Sequence, residues 1–311
     1  MKIYEYRIIC PVTCDKYKIG NIYMTAAKSL EESQQVKGEG IETVKNEPYS
    51  QSGETGQYTY KIFHFKSRIP AFMRWALPDK YCHLHEKSWV SYPHYHTVYE
   101  NPGIGKNFSM EIDSWHVPYK HGEEIPDNLL NLSPDELKER RIVYLDILNG
   151  KPKPEKNQDL GKWTCPALNV NKPLSDYLKH KSHGIGEKDE RKSPPEWTVN
   201  YDGEMMVAVK VVKINFNWKG LQQIVEKYTT HTLLQNLFIE AHREMMRWGD
   251  KWGPMSLEDV QKYEKKIYSD TNALGFENDQ DKPTDDIPEE RPEDLSDPEI
   301  SESVEQEPMN P

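Results

Sequence analysis

The residues of this sequence with types and spacing suited to chemistry are two histidine pairs and one lysine. His83 with His85, and His94 with His96, each place two rings on one face of a predicted strand. Four imidazoles on neighbouring strands could hold zinc, as in a zinc-dependent enzyme, but no cysteine or carboxylate is spaced to complete the set. The sequence also lacks GxSxG, HExxH and a glycine-rich phosphate loop. We therefore predict no catalytic residue, no metal site and no enzyme.

The lysine is Lys61, which lies within the strand-like stretch GQYTYKIFHF at 56–65. Side chains on a strand alternate between two faces, so Lys61 shares a face with Thr59, Phe63 and Phe65. One interpretation is that its ammonium group reaches water at the sheet edge. The other is that this face lines a cavity for an apolar ligand with an anionic head, because a buried cation needs an anionic partner.

Charge is distributed unevenly along the 311 residues. The net charge is −11, yet residues 277–311 alone carry fourteen acidic and two basic side chains, so the preceding part is nearly neutral. A neutral body gives no support to nucleic-acid binding, which needs a clustered basic surface. The segment from 276 to 311 is predicted to be a disordered acidic tail, in which Ser296 and Ser301 are either phosphorylated or merely part of a solvating segment.

The cysteines and the hydropathy of the chain indicate its compartment. The four cysteines show no CxxC pair and no secreted-type spacing, which favours reduced thiols. The first ten residues include three charged side chains, and no apolar run approaches the 18 residues needed to span a bilayer. We expect a soluble, cytoplasmic protein.

The pattern of the chain predicts one α+β domain over residues 1–275, with about eight strands. A charged, proline-rich stretch at 149–204 is interpreted as a variable surface excursion within it, not as a second domain. Ser133 and Ser256 are predicted to cap two helices. The predicted strands are 3–12, 38–49, 57–66, 81–86, 94–100, 107–116, 141–148 and 205–216, and the predicted helices are 17–32, 133–141, 218–252 and 255–272.

Eight motifs occur in an order that closely resembles the metazoan-type phosphatidylinositol transfer proteins. The resemblance covers about residues 1–270. Eight motifs in the same order are specific evidence for a family, whereas any one of them alone would be weak evidence. The motifs are EYRI, GEGIETVKNEPY, GQYTYKIFHFKSRIP, HEKSWVSYP, IDSWH, VYLDI, GLQQIVE and HREMMRWGDKW.

The resemblance implies a START-like fold in which a concave, largely antiparallel sheet and two long helices enclose one phospholipid. The implied contacts of the inositol head are Thr59, Lys61 and Glu264. The implied contacts of the lipid phosphate are Asn21, Thr97, Ser114 and Lys210. Phe72, Trp75, Leu77 and Trp218 match the family's lid and membrane-contacting positions. No cofactor is implied, because the phospholipid is cargo.

Two positions depart from the family pattern. Val90 stands where the family has an inositol-contacting asparagine, and Trp218 is followed by Lys219 where the family has paired tryptophans. The resemblance implies a monomeric carrier that exchanges phosphatidylinositol and phosphatidylcholine between membranes, touching each membrane transiently. The alternative left open is a lipid-sensing protein that presents its bound lipid to a partner through the excursion and the tail.

Overall fold

The computed structural model describes residues 2–51, 53–68, 82–154, 159–178, 192–217, 220 and 222–276. Eight strands form one sheet, which confirms the predicted α+β class. The sheet order is β2-β3-β4-β5-β6-β8-β1-β7, and neighbours are antiparallel except for the parallel pair β1 and β7. The strands are β1 (Lys2–Cys10), β2 (Gly40–Gln51), β3 (Glu54–His64), β4 (His83–Ser91), β5 (His94–Glu100), β6 (Phe108–Tyr119), β7 (Arg140–Leu145) and β8 (Met205–Phe216).

Three of the helices are preceded by a residue whose side chain accepts a hydrogen bond from a free backbone amide of the first turn. Thr13 caps the first helix by accepting a hydrogen bond from the Lys16 amide, and Ser133 and Ser256 form the predicted capping boxes. No described helix has both the length and the hydropathy of a membrane span. The helices are α1 (Cys14–Gln35), α2 (Pro134–Glu139), α3 (Gln222–Tyr228), α4 (Leu234–Arg247), α5 (Gly249–Trp252) and α6 (Leu257–Asn272).

The predicted helix over 218–252 is interrupted in the structure. Thr229–Leu233 forms a π-helical turn between α3 and α4. The widened turn changes the normal backbone pairing, and the Thr230 carbonyl accepts hydrogen bonds from the Tyr6 hydroxyl (2.7 Å) and from the side-chain amide of Gln235 (3.2 Å). Hydrophobic periodicity does not reveal this turn, because apolar residues continue at near-helical spacing through it.

Helices α1, α4 and α6 cover one face of the sheet, which we call the inner face. The Tyr17 ring of α1 lies 4.8 Å from the His116 ring of β6, and the Phe238 ring of α4 lies 5.4 Å from the Tyr6 ring of β1. These contacts belong to the main hydrophobic core. Part of the core therefore lies between the sheet and these helices, at the β6-β8-β1 end of the sheet, and Ile9 and Val207 extend it to the outer face.

Helix α6 is fixed to the other end of the sheet through backbone groups of β2. The Asn272 side chain accepts a hydrogen bond from the Thr43 amide (3.0 Å) and donates one to the Thr43 carbonyl (2.7 Å). Strand β2 is irregular between Thr43 and Lys45, where its register with β3 shifts. The amide side chain thus pairs with the backbone as a neighbouring strand would.

Arg243 of α4 anchors the beginning of the 149–204 excursion. Its guanidinium is fully buried and donates hydrogen bonds to the carbonyls of Ile147 (2.7 Å), Gly150 (2.8 Å) and Pro152 (2.6 Å). Burial lowers the pKa of Arg243, and the charge of Asp146 opposes that shift. Leu160, Cys165, Leu168, Val170, Leu174 and Trp197 of the excursion join the main core. The described parts of the excursion are therefore packed against the domain, while the domain division itself stays a prediction.

Replacing Arg243 by alanine should lower the free energy of unfolding by about 3 kcal/mol, because one buried and two partly buried carbonyls lose their donor. Denaturant unfolding followed by circular dichroism measures this loss. Lys262→Ala is the control, since Lys262 pairs with Glu258 on an exposed face of α6 and should contribute well under 1 kcal/mol. Equal losses in the two variants would contradict the anchoring role.

Candidate functional site

The sheet register brings five of the predicted lipid contacts to the inner face. Residues that pair directly across neighbouring strands point to the same side of a sheet. Thr59 of β3 is linked in this way to Thr97 of β5 through Ser88 of β4. Ser114 of β6 pairs directly with Lys210 of β8. Lys61, two residues from Thr59, completes the set on the same face.

Lys61 is buried against helix α6. Lys61 is only 3% exposed to solvent, and its Nζ lies 4.8 Å from the centre of the Tyr268 ring. The Tyr268 hydroxyl donates a hydrogen bond to Glu264 Oε1 over 3.1 Å, one helical turn away. The structure therefore brings the predicted Lys61 and Glu264 together and adds an aromatic ring between β3 and α6.

Burial raises the pKa of the Glu264 carboxyl, and the positive charge of Lys61 is the largest effect that lowers it. Tyr268 and Asn46 also stabilise the charged form. The two ionisable groups are thus close enough to act on each other in a partly dehydrated environment. A group placed between them would meet a cation on one side and a hydrogen-bond acceptor on the other.

Hydroxyl and amide groups surround this pair on the inner face. The Ser88 and Thr97 hydroxyls are 2.9 Å apart, and the Gln57 amide donates to Asn46 Oδ1 over 2.6 Å. Thr59 lies between these two pairs by register. Such groups can both donate and accept hydrogen bonds, which is the chemistry that recognises a polyol.

The second cation of the inner face is Lys210. Its Nζ donates a hydrogen bond to Ser114 Oγ over 3.2 Å. Burial lowers the pKa of Lys210 to about 8, and the neighbouring Cys10 thiol opposes the shift. Burial in turn raises the pKa of the Cys10 thiol far above its usual value, so this neighbour is neutral at pH 7. Lys210 is therefore a partly buried cation next to neutral groups, as an anion site requires.

Asn21 approaches the same region from helix α1. Burial raises the pKa of the Tyr95 hydroxyl, the Asn21 side chain lowers it, and the Glu264 carboxylate raises it further. Tyr95 pairs with Ser114 across β5 and β6. Asn21 therefore lies near the Lys210 and Ser114 pair, although it comes from a helix and not from the sheet.

Several polar residues of the inner face were not predicted from the sequence. Tyr268 could have been found from its i, i+4 spacing to Glu264. Glu86 lies directly across from Lys61 and accepts a hydrogen bond from the Tyr99 hydroxyl over 2.6 Å. Their roles depend on the strand register, which the sequence alone does not fix.

The remaining positions singled out from the sequence are Val90 and the predicted lid and membrane contacts. Val90, the departure from the family pattern, is on the inner face and pairs with Tyr95. The predicted lid and membrane contacts, together with Lys219, lie outside the described residues, so their placement stays a prediction. These are Phe72, Trp75, Leu77 and Trp218.

The four histidines considered for zinc are on the opposite, outer face of the sheet. His96 Nδ1 is 2.7 Å and His94 Nε2 is 3.4 Å from Asp113 Oδ1. Burial raises the pKa of Asp113, but the hydrogen bonds with both histidines outweigh it and lower the pKa to about 2. His85 instead shares a 2.7 Å hydrogen bond with the Tyr60 hydroxyl. In the described ranges, no group of three or more His, Cys, Asp or Glu residues is arranged to hold a metal ion.

Comparison with known proteins identifies the family to which these residues belong. The family model described as phosphatidylinositol transfer protein matches residues 1–269. The chain is 33% identical over 275 residues to the human phosphatidylinositol transfer protein beta isoform, covering 88% of this chain and 94% of that protein. The bovine beta isoform is equally similar, with 33% identity over 272 residues and the same coverage.

A more distant organism gives the same result. Phosphatidylinositol transfer protein 1 of Dictyostelium discoideum is 33% identical over 282 residues, which span 91% of this chain and 98% of that protein. The region matched by the family model includes the whole sheet, helices α1 to α5 and most of α6. The resemblance predicted from eight motifs is therefore confirmed, and the chain belongs to the phosphatidylinositol transfer protein family.

Proposed function

We propose that this protein is a carrier that binds one phosphatidylinositol or phosphatidylcholine molecule and exchanges it between membranes. The relatives described above have phosphatidylinositol transfer in their names. The observation that carries the proposal is Lys210, a partly buried ammonium group that donates a hydrogen bond to the neutral Ser114 hydroxyl. A lipid phosphate would supply the missing negative charge and make short, charge-assisted hydrogen bonds.

The inner face offers different chemistry to different parts of the headgroup. The phosphate is common to both lipids, so we assign it to Lys210, Ser114, Thr97 and Asn21. The inositol ring adds hydroxyl groups, and we assign these to Lys61, Thr59 and Glu264. Choline has no hydroxyl for the second group, so only phosphatidylinositol would use both sets.

The carrier cycle requires a route for the acyl chains. We assign Phe72, Trp75 and Leu77 to a lid that covers the lipid when closed and enters the bilayer when open, and Trp218 to membrane contact, following the family pattern. The protein would act without catalysis or cofactor, as a cytoplasmic monomer that touches membranes transiently. Lys219, beside Trp218, would favour anionic surfaces at about 1 kcal/mol per basic residue.

Two measurements test the proposal as a whole. Native mass spectrometry of the purified full chain should show one phospholipid per protein molecule. In a vesicle assay, each protein molecule should then transfer many molecules of labelled phosphatidylinositol or phosphatidylcholine. Bound lipid without transfer would instead favour a lipid-sensing protein, and absence of both would refute the proposal.

Lys61→Ala should lower phosphatidylinositol transfer about tenfold while leaving phosphatidylcholine transfer within twofold, because a charged hydrogen bond to the ring is lost. The vesicle assay measures both rates. Lys87→Ala is a matched control, since Lys87 lies on the neighbouring strand β4, points to the outer face and pairs with Glu100 at 2.9 Å. Equal loss for both lipids would contradict the assignment of Lys61 to the inositol ring.

Val90→Asn should raise the ratio of phosphatidylinositol to phosphatidylcholine transfer. A valine facing the ring leaves a hydroxyl without a partner, at a cost of about 1–3 kcal/mol, and asparagine can donate and accept. The same vesicle assay gives the ratio, with Val90→Leu as the control for side-chain size. A ratio that does not change in Val90→Asn would place the ring away from this strand.

Replacing Phe72 and Trp75 with serine should slow the transfer of both lipids about equally, because entry into the bilayer is common to both cycles. Circular dichroism should remain that of the unchanged protein. Selective loss of one lipid would indicate that these side chains contact the headgroup and do not form a lid.

A further inference from the structure

Tyr95 occupies the junction between the two proposed parts of the headgroup site. It pairs with Val90 of β4 on one side and with Ser114 of β6 on the other, so all three side chains point to the inner face. Val90 is on the inositol side of the proposed site and Ser114 is on the phosphate side. Any headgroup that contacts both sides passes over Tyr95.

Aromatic neighbours hold the Tyr95 ring in place. The His116 ring packs edge-on at 4.8 Å, and the Tyr92 ring packs edge-on at 6.2 Å. The Tyr92 hydroxyl is itself committed to helix α1, because it donates a hydrogen bond to the Cys14 carbonyl over 2.6 Å. These ring contacts therefore fix the orientation of the Tyr95 side chain, and with it the position of its hydroxyl.

One group from each proposed subsite acts on the Tyr95 hydroxyl. Asn21, assigned to the phosphate, and Glu264, assigned to the inositol ring, both shift the pKa of this hydroxyl. Burial is nevertheless the largest effect and raises that pKa, so Tyr95 keeps its proton at neutral pH. A phenol can accept hydrogen bonds and donate one, so contact with the Asn21 amide leaves its proton for another acceptor.

We propose that Tyr95 is a specificity-determining residue whose hydroxyl donates a hydrogen bond to a headgroup oxygen on the inositol side of the phosphate. The inference rests on the proposed function. Val90 cannot make a polar contact with the ring, and the side chain directly opposite it on β5 supplies one. Choline lacks a hydroxyl oxygen at this position, so the Tyr95 contact favours phosphatidylinositol.

The test compares two substitutions that each remove one hydroxyl group. Tyr95→Phe should lower the ratio of phosphatidylinositol to phosphatidylcholine transfer about fivefold, which corresponds to one neutral hydrogen bond of about 1 kcal/mol. Tyr92→Phe is the matched control, because it keeps the neighbouring ring and loses a hydroxyl that binds the Cys14 carbonyl. The control should change the ratio by less than twofold, and thermal unfolding should show both variants folded.

The combination of Tyr95→Phe with Val90→Asn gives an independent measurement. If both positions serve the same ring, Val90→Asn should raise the ratio by a larger factor in the Tyr95→Phe background than in the unmodified protein, so the two effects will not add. An unchanged ratio in Tyr95→Phe, or an equal loss for both lipids, would overturn the inference while leaving the carrier function intact. Absence of transfer by the unmodified protein would overturn the proposed function and the inference with it.

Discussion

A buried lysine in contact with a helix is the constraint on which the arrangement of this protein depends. Lys61 is nearly inaccessible to solvent, and a cation in such a place is stable only with suitable partners. The Tyr268 ring and the Glu264 carboxylate provide them from α6. The position of α6 on the sheet is therefore coupled to the charge of Lys61, since moving α6 away would remove the groups that stabilise this cation.

The inner face combines two demands that usually conflict. It has to be apolar enough to pack against α1 and α4, and polar enough to hold two cations and several hydroxyl groups. The sheet separates these demands along its width only in part, because the cation Lys210 lies on β8. Aromatic and aliphatic contacts dominate where β1 and β8 meet the helices, and the hydroxyl pairs lie towards β4 and β5. Strand alternation also gives the outer face its own buried apolar residues, such as Ile9 and Val207, so the core does not depend on the inner face alone.

Much of the fold could be predicted from the sequence. Strands β5 and β8 begin and end where the alternation of the sequence indicates, and the serine caps of α2 and α6 are local signals that tertiary packing does not alter. The π-helical turn at Thr229–Leu233 was missed because apolar residues continue through it at near-helical spacing and its contact with the Tyr6 hydroxyl is distant in sequence. Tyr95 was missed for a similar reason, since its position between Val90 and Ser114 follows from the register of three strands.

The pairing of Asn272 with Thr43 makes one backbone amide a reporter of helix position. This amide is bonded to a side chain of α6 and not to a neighbouring strand. Its exchange with solvent hydrogen therefore requires α6 to leave β2, whereas exchange of the amides bonded between β2 and β3 requires the strands to separate. The difference between the two exchange rates is a direct measure of how often this helix undocks while the sheet remains intact.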